Sequence, residues 1–153
     1  MRLSFKEDHI SQIPALMMLE KVGYTYLTPA EAMELRGGNT GNVLLEPILR
    51  EQLAKINTVQ VSSQRTTVFS EQNITAGIEA LRNLPMAEGF MTASQVAYDL
   101  LTAGKTLEQI VDGDKKSYVM QYIDWKHIEN NAFHVVEEFA VSRTGMSDTY
   151  RPD

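Results

Sequence analysis

The sequence contains no cysteine, which removes disulfides and thiolate metal sites from consideration and favours a reducing cytoplasm. Histidine is scarce: His9, His127 and His134 are the whole supply, and their scattered spacing makes no zinc motif. No run approaches the roughly 18 apolar residues that a membrane span needs, and the first residues show neither a basic n-region nor an apolar h-region. A cytoplasmic location is the expectation. Positive charge is in deficit, with 14 Lys and Arg against 20 Asp and Glu for a net charge of −6. A chain so charged is not, on its own, a strong nonspecific binder of a phosphate backbone; any nucleic-acid contact must be local or lent by other parts.

What is present is ordinary soluble-domain composition: 153 residues, 43% hydrophobic and 22% charged, enough for one modest core. The apolar pattern reads mostly as helix. Ile10, Ile13 and Met17, with Leu16 beside them, predict a helix over 8–21 with one buried face, stopped by Gly23. Thr28-Pro29-Ala30-Glu31 is a capping box with proline in the first turn, and Gly37-Gly38 closes that short helix. Asn39 to Asn42 reads as a turn. Leu45, Leu49 and Ile56, with Ile48 and Leu53, then form an amphipathic stripe in which Pro47 is tolerated only near the first turn. Thr58 to Phe69 is polar and β-branched, a loop or a loose edge strand. Ser70 caps a helix bearing Ile74, Ile78 and Leu81. Thr92 with Gln95 predicts a second capping box before a helix that ends at Gly104, and Thr106 with Gln109 repeats the pattern for a turn or two before Asp112-Gly113.

After Lys116 the period changes to two. Val119, Ile123 and Trp125 share one face of "SYVMQYIDW", and Phe133, Val135, Phe139 and Val141 share one face of "AFHVVEEFAVS". The intervening "KHIENN" suits an antiparallel hairpin. The expected architecture is therefore α+β, with N-terminal helices over 1–115 followed by an antiparallel hairpin and the first strands of a sheet over 116–153.

Familiar catalytic patterns are weak. "AGKT" at Ala103 to Thr106 lacks the first glycine of a phosphate loop, since Asp99 stands there, and a helix precedes it where a strand is required. Gly104 as a helix stop explains it. No nucleophile-elbow context supports a Ser/His/Asp arrangement.

Three stretches resemble one known family: "LLEPILREQLAKIN" (44–57), "YIDWKHIENNAFHVVEEFAV" (122–141) and "YRPD" (150–153). The chain is similar to the N-terminal nuclease region of the restriction (R) subunit of type I restriction enzymes. That resemblance implies a restriction-endonuclease-like PD-(D/E)xK domain, of which residues 1–153 are the N-terminal part. Asp153 would be its first acid, followed in relatives by a strand, a tight Asn-Gly turn and a strand bearing Glu-x-Lys. The sequence would thus stop inside an active site. The implied cofactor there is Mg²⁺, with Asp153 as metal ligand and Glu46 as a further acid from an early helix. ATP would be used by motor domains outside these residues. The implied partners are DNA and the modification and specificity subunits of a type I restriction-modification complex.

The chemistry of such a site needs a divalent ion to neutralise developing charge and lower the pKa of the attacking water, and a lysine to position that water. One aspartate would hold Mg²⁺ weakly, so residues 1–153 alone are expected to be inactive. Other acids have plainer readings. Glu46 and Arg50 stand four apart, a common helix-surface pair. Gln12 replaces a glutamate found in several relatives, and Glu7 with Asp8 suits a helix N-terminus. Asp124, Asn130 and Asn131 suit a turn. Glu137 and Glu138 are adjacent and face opposite sides of a strand, so they make no acid/base pair; Glu137 shares a face with apolar residues and sits at the sheet margin or pairs with a cation. His134 reads as a strand-surface residue. The alternative function is a non-catalytic helical subunit-docking module formed by the amphipathic helices of residues 8–110.

Overall fold

The chain is represented by a computed structural model that describes residues 11–143 and 148–150. Its first helix, α1 (Ile13–Lys21), ends where expected: Gly23 takes φ +101° and Tyr24 N–H reaches back to Leu19 O at 3.0 Å. The expected buried face is not found among the described residues, since Ile13, Met17 and Met18 are all exposed and none of α1 is buried. Strand β1 (Thr25–Leu27) leads into α2 (Pro29–Leu35). Here the capping box is complete: Thr28 Oγ1 accepts from Glu31 N–H at 3.2 Å and Glu31 Oε2 accepts from Thr28 N–H at 2.8 Å. At the other end Gly37 and Gly38 form a Schellman closure, with Gly38 N–H on Met33 O and Gly37 N–H on Glu34 O.

Helix α3 (Glu46–Ile56) carries Pro47 in its first turn, where its missing N–H costs nothing. Next come β2 (Thr58–Ser62) and β3 (Arg65–Val68), an antiparallel pair with a register shift after Gln60. The polar stretch is therefore a hairpin. Ser70 caps α4 (Glu71–Arg82), accepting from Asn73 N–H at 3.2 Å. Helix α5 (Phe90–Ala103) has its N-cap three residues before the expected Thr92, at Gly89 with φ +105°. Thr92 instead bonds back to Glu88 O at 3.4 Å, and Gln95 reaches Asp99. A cap needs non-helical backbone at its first residue, and the helix has already begun.

The larger correction concerns Thr106 to Gln109, which is strand and not helix. It lies in β4 (Lys105–Val111), paired antiparallel over its whole length with β5 (Asp114–Met120). The Asp112-Gly113 turn joins them with positive φ at both residues, as a tight two-residue hairpin demands. Burial alternates along β4, with Gln109 buried between exposed Glu108 and Ile110. Seven register pairs outweigh a four-residue capping signature. Gly104 is required at the junction, because a Cβ there would collide with the Met120 carbonyl oxygen.

The hairpin expected across "KHIENN" does not form. The partner of β5 is β4, and β6 (His134–Val136) pairs in parallel with β1, Tyr26 opposite Val135. Glu138, with φ +50°, breaks the second strand, so Val141–Ser142 is a separate strand β7 paired antiparallel with β8 (Thr149–Tyr150). Trp125 and Val119, expected to share one face, are both half exposed. The α+β class with helices ahead of an antiparallel hairpin holds; the hairpin is built from 105–120.

Packing divides the chain into two compact units, Met1–Leu45 with Ala132–Asp153, and Glu46–Asn131. The second holds Leu53, Val59, Phe69, Ile74, Ile78, Ala93, Met120 and Tyr122, all buried. Gly77 lets α4 approach this cluster: a Cβ would lie 2.6 Å from Met120 Sδ. Tyr122 Oη donates to Gly77 O at 2.6 Å, and burial pushes its pKa up to about 12. Asn57 stitches α3 to the end of β5, donating to Leu53 O and Gln121 O and accepting from Gln121 N–H at 2.7 Å. In the first unit Ala32 and Arg36 are the buried residues among those described. No helix among the described residues is long and apolar enough to cross a membrane.

Candidate functional site

Asp153, expected as the metal ligand, lies outside the described residues, as do Glu7 and Asp8. The last described residue before it is Tyr150 in β8. That strand is held by β7, with Val141 opposite Tyr150, by Arg143 N–H on Asp148 O at 3.2 Å, and by the Arg143 guanidinium 5.7 Å from the Tyr150 ring centre.

Glu46 is described, and its surroundings are basic. One carboxylate oxygen meets Arg50 Nη2 at 3.2 Å, the i,i+4 pair that the spacing suggests, and the other meets Arg82 Nη2 at the end of α4. Arg50 also reaches Glu71 Oε2 at 3.2 Å and Thr75 Oγ1 at 3.1 Å. Glu46 thus ties the first turn of α3 to α4 through two guanidinium groups. A divalent cation at this carboxylate would have to displace both arginines. Spacing revealed Arg50 as a partner; Arg82, 36 residues away in sequence, carried no such signal.

Asp124, Asn130 and Asn131 make the turn that their residue types suggest. Asp124 Oδ1 accepts from the amides of Lys126 and His127 at 3.1 and 2.9 Å, and Oδ2 accepts from Asn130 Nδ2 at 2.8 Å. Asn131 closes the loop through Asp124 N–H and O. The Asn130 side chain and the His127 amide hold the Asp124 carboxyl below the usual range. The pairs leave Asp124 as a loop organiser.

Glu137, at the sheet margin, accepts from Tyr26 Oη at 2.8 Å, and among the described residues no cation pairs with it. That bond, then burial, raises the Tyr26 pKa. His134 lies half-buried in β6 opposite Thr25.

Sequence reasoning missed Arg36. It ends α2, is 2% exposed, and spends its guanidinium on backbone carbonyls: Nε on Asn42 O, Nη2 on Thr40 O at 2.7 Å and Nη1 on Ala140 O at 2.8 Å. The Phe139 ring lies 4.1 Å from its centre. Burial lowers its pKa. Only the adjoining Gly37-Gly38 was visible in the pattern, and a helix-ending arginine ordinarily reads as a surface charge.

Among the described residues no three histidine, cysteine, aspartate or glutamate side chains gather where they could hold a metal ion. The described residues therefore do not make up a magnesium site.

No curated protein and no solved structure matches the chain. The sequence profile of a family described as type I restriction enzyme R protein N terminus matches residues 4–153, nearly the whole length and including the Tyr-Arg-Pro-Asp segment. The α+β arrangement of helices and small strand pairs agrees with that family, and the chain belongs to it.

Proposed function

We propose that these residues are the N-terminal part of the DNA-cleaving subunit of a type I restriction-modification system, with Asp153 the first acid of a PD-(D/E)xK nuclease site. The observation that carries the reading is the family match over 4–153, which takes in both the 122–141 stretch and the terminal Arg-Pro-Asp. In this reading Asp153 is one ligand of a Mg²⁺ ion, and the remaining acid and the lysine come from residues that follow in sequence. ATP-driven translocation belongs to motor domains outside this segment, and the modification and specificity subunits with DNA are the partners. Glu46 takes the α3–α4 ion-pair role, as its two arginine partners support. A lone aspartate leaves most of the coordination sphere of Mg²⁺ to water, so residues 1–153 by themselves do not cleave DNA.

A second reading, a helical subunit-docking module without catalysis, has one observation in its favour: Met17, Met18 and Val22 on and after α1, and Phe90, Met91 and Tyr98 on α5, are exposed. One experiment separates the two. Asp153→Ala in the full-length subunit, assembled with its partner subunits, abolishes DNA cleavage and leaves ATP hydrolysis intact under the nuclease reading. Cleavage that survives the substitution supports docking instead.

A further inference from the structure

Arg36 is the one charged side chain buried among the described residues. Removing a guanidinium from water is costly, and this one recovers hydrogen bonds from three carbonyls on two separate stretches of chain. Asn42 and Thr40 belong to the turn after α2, whereas Ala140 immediately precedes β7. The same turn holds β7 directly, through Ser142 N–H on Thr40 O at 3.0 Å and the Thr40 and Ser142 hydroxyls at 2.5 Å. On its other edge β7 pairs with β8, Ser142 opposite Thr149 and Val141 opposite Tyr150. Tyr150 stands three positions before Asp153. A two-residue strand pair has little stability of its own, so its place is set by what anchors it. The backbone beside the anchor is also constrained: Glu138 is held in the left-handed region, and Phe139 stacks on the guanidinium.

We infer that Arg36 is a positioning residue for DNA cleavage, acting through Ala140, β7 and β8 on the segment that leads into Asp153. The inference rests on the reading of Asp153 as a site acid. It assigns no contact between Arg36 and substrate. Arginine is needed because one planar fork must reach carbonyls on both stretches; lysine keeps the charge but places a single ammonium where three directed donors are required.

The test uses the full-length subunit in its complex and compares Arg36→Lys, Phe139→Leu and Asp153→Ala. Arg36→Lys is expected to lower the single-turnover cleavage rate on the order of 100-fold, the scale of a misplaced catalytic group. ATP hydrolysis and DNA affinity should stay within about twofold, and backbone hydrogen exchange should quicken over 140–143 and 148–150 while β4 and β5 keep their protection. Phe139→Leu leaves all three carbonyl bonds available and should give a smaller loss of the same kind; it carries the test if the lysine variant does not fold. Wild-type cleavage by Arg36→Lys beside a dead Asp153→Ala overturns the inference and leaves the nuclease reading standing. Parallel loss of cleavage and ATP hydrolysis, with exchange quickened throughout, also overturns it, since that is a general structural role. Cleavage by Asp153→Ala overturns the nuclease reading itself.

Discussion

The two compact units are held together by different means. Residues 46–131 bury Leu53, Val59, Ile74, Ile78 and Met120 almost completely, and their polar buried groups, Asn57 and Gln109, join elements of the same core. In the unit formed by residues 1–45 and 132–153, the described residues bury one alanine and one arginine, and the order comes from directed polar bonds: the Thr28–Glu31 box, Tyr26 with Glu137, and Arg36 with its carbonyls. Apolar burial is non-directional and tolerates small shifts, whereas each hydrogen bond fixes a particular atom. The difference teaches where precision is kept. The unit that leads into Asp153 is the one organised by directed bonds, and in the unit with the larger core Glu46, Glu71, Glu108 and Asp112 are engaged in ion pairs and Asp124 in loop closure.

That contrast can be broken most directly at Leu53, which has no exposed surface. Leu53→Ala should cost about 2–5 kcal/mol, the range for emptying a closed apolar site, read from the exchange of the Ile74 and Ile78 amides of α4. A loss below about 1 kcal/mol would mean that the core relaxes into the cavity, and apolar burial would not be what holds this unit.

The matching test in the first unit is smaller. Thr28→Ala removes the cap of α2 and should cost about 1 kcal/mol, read from the protection of the α2 amides. It carries a pH signature as well. The bonds from the Thr28 amide and hydroxyl hold the Glu31 pKa below its ordinary value. A depressed folded-state pKa gives stability that is fully present above the unfolded value, about 4.3, and is lost as pH falls through the folded one. The wild-type α2 should therefore lose protection as pH falls below the unfolded value and through the lowered folded one, and the Thr28→Ala protein should show a flatter profile there. An unchanged profile would remove the capping box from the account.

These cases also show why parts of the molecule were legible in the sequence. The α2 box, the Ser70 cap, the glycine stops and the α3 stripe are local patterns, complete within one or two turns, and each stands where its residues indicated. Strand pairing is not local. "SYVMQYIDW" alternates as a strand should, but its first half found a partner upstream through a two-residue turn, while Asp124 gathered the following amides into a loop. Thr106 and Gln109 matched a helix start, and only the ladder with β5 decided otherwise. Among the candidate residues that are described, the Glu46–Arg50 pair was legible through spacing. Arg36 was not, because its acceptors are backbone carbonyls on two separate stretches, and carbonyls leave no residue-type signature.

Glu46 gives the finest test of the contrast. Both oxygens of its carboxylate meet guanidinium groups, and its side chain and those of Arg50 and Arg82 are all partly exposed. Solvent screens such pairs, so Glu46→Gln should cost about 0.2–1 kcal/mol, even though two arginines lose a partner charge. The amide still offers one oxygen to either of them, and Arg50 retains Glu71 and Thr75. Under the proposed nuclease reading, the substitution in the full-length subunit should leave cleavage within about twofold of wild type, because the carboxylate is already engaged by two arginines. Loss of cleavage with folding and ATP hydrolysis preserved would show instead that the carboxylate exchanges its arginines for the metal. Residues 46–131 would then carry reaction chemistry together with the apolar core, and the division of labour between the units would fail.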